Sequence, residues 1–186
     1  MIVTDLAGTG LALTPPTPSD IDRIAEFCTD PAIGRWTTMP VPYTRSDAEV
    51  FVRTVVPSGW ADRSPTWAVR RTGDGAVLGM IGLGARDPSA AEVGFWLAPE
   101  ARGEGIVTRA LNLVCDFGFR QDTLALGRIE WRAFVGNSAS AEVARRVGFR
   151  FEGIARAGGL QRGTRMDMWV AALLPGDPRE PADGWP

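Results

Sequence analysis

Residues 92–110, which read EVGFWLAPEARGEGIVTRA, decide how the fold of this chain is interpreted. The first six residues are typical of a β-strand, and a Pro-containing turn and an Arg-Gly-x-Gly loop lead from them into a helical pattern of apolar residues. Gly103 and Gly105 have no Cβ, so the loop backbone can approach a ligand closely. The helix that follows begins with unpaired amides and a partial positive charge, to which Arg102 adds a full charge. Strand, loop and helix together therefore predict a site for a phosphate-bearing ligand.

The same loop has two other interpretations. A dinucleotide-binding fingerprint needs a third glycine, but Thr108 stands at that position, and no acidic residue ends a second strand about 20 residues further on. We therefore set the dinucleotide hypothesis aside. A pair of glycines that only shapes a tight turn is the ordinary interpretation of an isolated Gly-x-Gly. The ligand hypothesis thus depends on motifs elsewhere in the chain.

Outward from this stretch, hydrophobic periodicity predicts one α/β (α+β) domain over residues 1–174, with the element order β-α-α-β-β-β-α-β-α-β-β. The front half is expected to be largely antiparallel, because Thr72-Gly73-Asp74-Gly75 joins two β-rich runs in the manner of a hairpin. Residues 175–186 are rich in proline and acidic side chains, and we expect them to form a disordered tail.

Two local patterns refine this prediction. A capping box that starts at Thr44 opens the second helix, which is expected to direct Val50, Phe51 and Val55 inward. The glycine-rich residues 158–163 are expected to separate the last two strands.

The composition excludes several kinds of catalysis. Among 186 residues there are 20 arginines, no lysine, no histidine, two cysteines and one tyrosine. Without histidine there is no Ser-His-Asp or Cys-His pair and no histidine zinc site, and two distant cysteines cannot form a zinc finger. Without lysine there is no Schiff base and no Walker A loop. Catalysis must therefore use carboxylates, hydroxyls, arginine, backbone amides or a co-substrate that carries its own reactivity, and we expect no metal.

The distribution of charge indicates the kind of partner. The net charge is −2, yet residues 102–165 hold 11 arginines against 6 acidic residues, which suits a small polyanion. The overall charge and the lack of a basic run argue against nucleic acid. No apolar run is long enough for a membrane span, and the amino terminus does not resemble a signal peptide, so we expect a cytoplasmic protein that does not bind membranes.

Two motifs resemble signatures of a known family. The run Trp96-Leu97-x-Pro99-x-x-Arg102-Gly103-x-Gly105-x-x-Thr108 resembles the acyl-CoA-binding motif of the GNAT superfamily of N-acetyltransferases. Downstream, Gly136-Asn137-x-x-Ser140 and Gly148-Phe149-x-x-Glu152-Gly153 are similar to the second signature of its ribosomal-protein alanine acetyltransferase branch. The resemblance covers about residues 9–174. It implies a GNAT-like domain with a mixed, mostly antiparallel central sheet of six to seven strands and helices on both faces.

The resemblance also implies roles for particular residues. The co-substrate would be acetyl-CoA, and the acceptor an amine that attacks the thioester directly, without an acyl-enzyme. The implied catalytic residues are Ser140 as donor to the thioester sulfur and Glu152 as general base. Strand alternation places Glu92 on the same face as Gly94 and Trp96, which makes Glu92 the second candidate for the base. The loop that contains Trp36, Met39 and Tyr43 would line the acceptor groove. The implied cofactor-binding residues are Phe95, Trp96, Leu97, Arg102, Gly103, Glu104, Gly105, Ile106, Val107, Thr108, Asn137 and Ser140.

Several positions depart from the family pattern. Val107 replaces a small residue, Ala144 replaces the usual tyrosine acid, and Arg132 replaces a glutamate found in relatives that acetylate amino termini. Helix capping is an alternative role for Asn137 and Ser140. These departures leave a second hypothesis open, a non-catalytic acyl-CoA-binding sensor or regulatory module. In either case we expect a monomer or a weak homodimer.

The choice of acceptor follows from a pKa comparison. A protein α-amino group has a pKa about 2.5 units below that of lysine, so deprotonating lysine at neutral pH costs roughly 3.4 kcal/mol more. A chain without histidine or a tyrosine relay is therefore expected to favour an α-amino terminus or a small amine of low pKa.

Overall fold

The fold is built on one sheet of eight strands. The computed structural model describes residues 1–73 and 75–186. Neighbouring strands lie in the order β1-β2-β3-β4-β5-β6-β8-β7 and are antiparallel, except that β5 and β6 are parallel. The strands are β1 Leu6–Gly8, β2 Leu11–Thr14, β3 Thr66–Arg71, β4 Val77–Asp87, β5 Ala90–Leu97, β6 Arg128–Phe134, β7 Arg150–Gln161 and β8 Thr164–Leu173.

The helices cover both faces of the sheet. The long helices α5 and α6 pack on one face around Leu111, Val114 and Trp131, whereas α1 and α3 pack on the other face with Ile24 and Met80. The predicted α/β class with helices on both faces is confirmed, and the sheet has one strand more than the upper number expected, because the short β1 pairs with β2. The predicted element order is wrong in its helices, because Pro31–Trp36 and Val56–Ala61 form two further short helices before β3. The helices are α1 Ile21–Phe27, α2 Pro31–Trp36, α3 Arg45–Val50, α4 Val56–Ala61, α5 Ile106–Phe119 and α6 Ser138–Val147.

The second predicted helix has a different inward face from the one expected. The capping box is present, since the Thr44 amide donates to the Asp47 carboxylate at 2.8 Å. The expectation that Val50 and Val55 point inward is wrong, because both are about half exposed. Residues Phe51–Val55 form a π-helical turn between α3 and α4. This wider turn changes the phase of the helix and buries Val52 instead.

The sheet divides between β5 and β6. Their parallel pairing runs from Ala90 opposite Arg128 to Val93 opposite Trp131. Beyond Val93, β5 continues to Leu97 with pairing to β4 on its other side, while β6 continues paired to β8. The two central strands therefore separate over the last four residues of β5, from which the chain runs on to the Arg-Gly-x-Gly loop.

The hairpins differ in detail from the predictions. β3 and β4 pair as expected, although Asp74 of the predicted Gly-Asp-Gly turn lies outside the described residues. The glycine-rich residues 158–163 belong mostly to β7 rather than to a connecting segment. The turn itself consists of Arg162 and Gly163, both with positive φ, which is the conformation that a two-residue hairpin turn requires.

The segment after β8 packs along the domain. We expected residues 175–186 to be a disordered tail. In the structure, the Trp185 indole donates to the Phe149 carbonyl at 3.1 Å and its ring lies 5.3 Å from that of Trp131. Arg179 pairs with Asp116 of α5 at 3.0 Å. The large aromatic side chain of Trp185 gives this segment apolar area to bury. The proline and acidic content, on which the expectation of disorder was based, does not indicate this packing.

One ion pair is buried between the sheet and the start of α1. Arg70 of β3 donates to both carboxylate oxygens of Asp20, at 3.0 and 2.7 Å, and to the Thr14 hydroxyl. Both charged side chains are about one-tenth exposed.

Along the described residues, no helix is both long and apolar enough to cross a membrane.

Candidate active site

Two cavities meet where β5 leaves β6. The first, which we call the loop cavity, has a volume of about 430 Å³ and lies between the Arg-Gly-x-Gly loop and the start of α6. The second, the sheet cavity, has a volume of about 540 Å³ and lies over β4 and β5. Thr37, Phe95 and Trp96 line both cavities. A molecule in one cavity can therefore meet a molecule in the other across the end of β5.

The backbone of the loop cavity is shaped by two glycines. Gly103 has a φ of +83° and Gly105 a φ of +68°, in the left-handed region that residues with a side chain adopt at a cost. Gly105 lies just before the first turn of α5. The amides of that turn have no acceptor within the helix and lie beside the cavity. This is the arrangement of an anion site at a helix start.

Eleven of the twelve residues predicted to hold the co-substrate line the loop cavity. The exception is Glu104, whose carboxylate is bound by Arg71 of β3 through two contacts of 2.8 Å. The side chain of Glu104 thus ties the loop to the sheet. Val107, which replaces a small residue of the family pattern, is among the lining residues.

The side chain of Arg102 links the loop to the front of the domain. It donates to the Leu97 carbonyl at 3.2 and 3.1 Å and to the Asp30 carboxylate at 2.6 Å. Although burial alone would raise it, the pKa of Asp30 is lowered by hydrogen bonds from the Ala32 amide and from Arg102. Arg102 therefore holds the start of α2 against the end of β5, in addition to placing positive charge beside the cavity.

Ser140 and Asn137 stand at the start of α6, and both line the loop cavity. Asn137 caps the helix, because its side-chain oxygen accepts from the Ser140 amide at 3.3 Å. The capping role that was an alternative for Asn137 is thus present in the structure. The Ser140 hydroxyl accepts a hydrogen bond from the Trp131 indole at 3.0 Å.

The sheet cavity contains one acidic and one basic lining residue among the described residues. Its walls are otherwise largely apolar, and the charged pair is Glu92 and Arg86, 3.3 Å apart. Burial raises the pKa of Glu92 above its usual value of 4.5, and Glu130 adds to this effect, while Arg86 and Arg132 oppose it. A carboxylate with a raised pKa in a cavity is suited to accept a proton.

Glu152 lies outside the residues that line either cavity. Its two carboxylate oxygens are 2.7 and 2.6 Å from the two terminal nitrogens of Arg128. The hydrogen bond from Arg128 lowers the pKa of Glu152, against a smaller effect of burial. Arg128 also contacts Glu130, which in turn contacts Arg86 at 3.6 Å. Glu152 thus forms one end of a row of ion pairs whose other end is Glu92.

The three residues predicted to line the acceptor groove have different environments. Met39 lines the sheet cavity and Trp36 lines the loop cavity. Tyr43 lines neither, because it is buried in the core on the helix α1 side of the sheet. Burial raises the pKa of the Tyr43 hydroxyl. The single tyrosine is therefore a packing residue in this arrangement.

Three residues near the cavities had no functional role in the sequence analysis. Arg86 lies near the end of β4, after a run of small and apolar residues, and the sequence carries no signal that it pairs with Glu92. Gln161 donates to the carbonyl oxygens of Arg35 and Thr37, at 2.8 and 2.9 Å, across more than 120 positions of sequence. Trp131 is buried in β6, and no local pattern predicts its contact with Ser140.

The two cysteines are buried and unbridged. Burial raises the pKa of Cys28 and of Cys115 to about 12. Neither thiol is therefore activated as a nucleophile. No group of three or more His, Cys, Asp or Glu side chains that could hold a metal ion occurs in the described part of the chain.

Comparison with known proteins identifies the family of the chain. A family model described as "Acetyltransferase (GNAT) domain" matches residues 11–150. The "Putative ribosomal N-acetyltransferase YdaF" of Bacillus subtilis (strain 168) is 32% identical over 164 residues, which cover 84% of this chain and 87% of that protein.

Solved structures share the fold. One named "Probable acetyltransferase" superposes with a TM-score of 0.78 at 28% identity and covers 92% of this chain and 97% of its own. RimL, a ribosomal L7/L12 α-N-protein acetyltransferase in complex with coenzyme A, superposes with a TM-score of 0.81 at 20% identity and covers 92% of this chain and 98% of its own. The family match and the relatives confirm the expected enzyme class and its acetyl-CoA co-substrate. The chain belongs to the GNAT family of acetyltransferases.

Proposed function

We propose that this protein transfers the acetyl group of acetyl-CoA to a primary amine, which is the α-amino terminus of a protein or a small amine of similarly low pKa. The observation that carries the proposal is the meeting of the loop cavity and the sheet cavity at Thr37, Phe95 and Trp96. One cavity offers helix-start amides and the other a carboxylate, so thioester and amine can enter from opposite sides of β5. The name of YdaF and the coenzyme A in the RimL structure support the same function.

The residues of the loop cavity fit a CoA molecule. The left-handed glycines Gly103 and Gly105 and the amides at the start of α5 suit a pyrophosphate. The part of β5 beyond Val93 has no pairing with β6, so its backbone can bind the amide groups of the pantetheine arm. Acetyl-CoA supplies an activated thioester, and the chain has to position it and stabilise the charge that develops.

Ser140 is the proposed donor to the leaving sulfur. It lines the loop cavity, and the Trp131 indole already occupies one lone pair of its oxygen. Its hydroxyl proton can then point to a thiolate. When the amine nitrogen bonds to the thioester carbon and the C–S bond breaks, a hydrogen bond from Ser140 stabilises the departing electron pair on sulfur.

Glu92 is the proposed general base. It lines the sheet cavity, and its raised pKa favours proton uptake, whereas Glu152 is bound by Arg128 and lines neither cavity. Glu92 accepts a proton from the acceptor ammonium, directly or through a water, and so frees the lone pair that attacks. Of the two protons that the ammonium loses, one is passed to solvent and one ends on the CoA thiolate.

The acceptor preference follows from the weakness of this base. The pKa gap between an α-amino group and lysine corresponds to roughly 3.4 kcal/mol at neutral pH. One carboxylate beside Arg86 is a modest base, so the amine that is easier to deprotonate reacts faster. The largely apolar walls of the sheet cavity, which include Met39, Phe51 and Leu83, suit an amine attached to an apolar group.

We propose a cytoplasmic setting for the reaction, because the two cysteines are buried and unbridged, as in a reducing compartment. The proposed state of the enzyme is a monomer or a weak homodimer, as the family resemblance suggests.

Thiol release from acetyl-CoA tests the proposed function. The purified chain is assayed against short peptides with free amino termini, the same peptides with blocked amino termini and one free lysine, and a panel of small amines. We expect turnover with free amino termini or low-pKa amines and little with lysine. Binding of CoA without thiol release for any acceptor would instead support an acyl-CoA sensor.

A further inference from the structure

The hydroxyl of Ser140 is constrained from the side of the sheet. Trp131 is 1% exposed, and its indole nitrogen lies 3.0 Å from the Ser140 oxygen. An indole N–H only donates, so the Ser140 oxygen must accept. Ser140 therefore cannot direct its own proton at Trp131. Among the described residues, Trp131 is the hydrogen-bond partner of this hydroxyl, which leaves the hydroxyl proton for a group in the loop cavity.

The rest of Ser140 is also held. Its amide donates to the Asn137 side chain at 3.3 Å, within the first turn of α6. Backbone and hydroxyl are thus fixed by two partners on different elements. The remaining freedom is rotation of the hydroxyl proton about the Cβ–Oγ bond. The hydrogen bond from Trp131 restricts this rotation, because the proton must point away from the indole N–H.

Trp131 is itself held in place by the end of the chain. Its ring lies 5.3 Å from the ring of Trp185 at an interplanar angle of 59°. Trp185 is anchored by its own indole, which donates to the Phe149 carbonyl at 3.1 Å. On β6, Trp131 is also the last residue paired with β5, opposite Val93. It therefore stands at the point where the two strands separate.

We propose that Trp131 is a positioning residue for the transfer reaction. Its N–H occupies one lone pair of Ser140 and so aims the Ser140 proton at the leaving sulfur. This inference rests on the proposed function, in which Ser140 donates to that sulfur. It assigns a role in the rate of the chemical step to a side chain that is buried in the core and touches neither substrate.

Trp131→Phe tests the inference, because it keeps an aromatic ring and removes the N–H. We expect kcat to fall by about fivefold to tenfold, in the range of one hydrogen bond, while KM for acetyl-CoA changes by less than about twofold. Trp67→Phe is the matched control, since Trp67 is equally buried and its indole donates to the Thr4 carbonyl at 2.8 Å. The control should lose similar stability and keep its kcat.

A double-mutant cycle separates the inference from its premise. In a Ser140→Ala background, Trp131→Phe should have no further effect on kcat, because its target is gone. If Ser140→Ala lowers kcat but Trp131→Phe does not, the positioning role is wrong and the proposed function stands. If Ser140→Ala itself keeps the full rate, the proposed role of Ser140 fails first. Equal effects of Trp131→Phe in both backgrounds would show a merely structural role.

A second substitution covers the case in which Trp131→Phe does not fold. Benzothienylalanine at position 131 keeps the shape of the indole and replaces the N–H by sulfur. The same fall in kcat is expected, with unchanged KM for acetyl-CoA, and wild-type kcat in this variant would overturn the proposal.

Discussion

Arg128 holds both carboxylate oxygens of Glu152, at 2.7 and 2.6 Å. Such a bidentate contact is among the stronger ion pairs at a protein surface. It lowers the pKa of Glu152, which makes this carboxylate a poorer base, and neither cavity includes it among its lining residues. The glutamate that the family resemblance first indicates and the glutamate that the geometry favours are thus different residues.

Glu152→Gln and Glu92→Gln should therefore differ in rate. We expect Glu92→Gln to lower kcat by about 100-fold, the lower end of the range for a general base. Glu152→Gln should keep kcat within about threefold of wild type, because the proton path does not use it. Steady-state thiol release measures both. The reverse order of effects would return the role of base to Glu152.

The pH dependence of the reaction should report Glu92. Burial raises its pKa above 4.5, so the active, ionised form is lost as the pH falls through that raised value. The wild-type rate should thus contain a step from Glu92 in addition to the step from the acceptor amine. In Glu92→Gln only the acceptor step should remain. Identical profiles, scaled by a constant, would argue against proton uptake by Glu92.

Gly105→Ala should weaken co-substrate binding specifically. At a φ of +68° an alanine is strained by about 1 kcal/mol, and relief of that strain moves the amides beside the loop cavity. We expect KM for acetyl-CoA to rise by about tenfold with little change in kcat. Gly10→Ala is the control, since its φ is +72°, it has open space around it, and it lies in the β1–β2 turn. Both variants should unfold at urea concentrations that are reduced by a similar amount. The same KM for acetyl-CoA in both variants would refute the prediction.

Gln161→Glu should affect the acceptor more than the co-substrate. The Gln161 amide donates to the Arg35 and Thr37 carbonyls, and a carboxylate of the same shape would repel both oxygens. The neighbouring Met39 lines the sheet cavity, so we expect KM for the acceptor to rise by about fivefold. Gln121→Glu adds the same charge at an exposed position and serves as the control. Equal KM values for the acceptor in the two variants would show that the Gln161 hydrogen bonds do not shape the acceptor site.

Asp20→Asn should destabilise the fold without a specific kinetic effect. It leaves the buried Arg70 guanidinium without its counter-charge, which typically costs about 3–5 kcal/mol of unfolding free energy. Although burial alone would raise it, hydrogen bonds from Arg70 and Thr17 lower the pKa of Asp20. The difference from wild type is therefore fully present above about pH 4, the unfolded value, and is lost as the pH falls through the lower folded value.

Urea unfolding at several pH values measures this difference. Asp22→Asn, whose side chain is 79% exposed, should stay within about 0.5 kcal/mol of wild type. Loss of stability of the same size in both variants would contradict the account.

The parts of the site that lie close together in sequence could be predicted. The strand, loop and helix of residues 92–110 form the expected cavity wall, because glycine backbones and helix starts depend on local sequence. The same holds for Asn137, whose cap lies three residues from its partner. The class of the fold follows likewise from local periodicity, although the short strand β1 and the short helices α2 and α4 are absent from the predicted order.

Contacts that depend on strand order could not be predicted. Arg128 reaches Glu152 because β8 lies between β6 and β7, a placement that no local pattern encodes. The Gln161 contacts likewise need the β7–β8 hairpin to reach the front loop. The inward face of the second helix was missed for a different reason, since a π-helical turn breaks the period on which the prediction of Val50 and Val55 relied.

The separation of β5 from β6 has a consequence for how the protein avoids aggregation. Strand edges with free backbone groups usually invite other chains to pair with them, and proteins cover them or charge them. Here the free edge of β5 lies inside the sheet, with β4 bonded on one side and the β6–β8 pair beyond the gap. A slender ligand can complete the sheet at this place, whereas a second polypeptide meets the neighbouring strands first. The unpaired backbone groups of β5 are thus accessible to a small ligand and shielded from pairing with another protein chain.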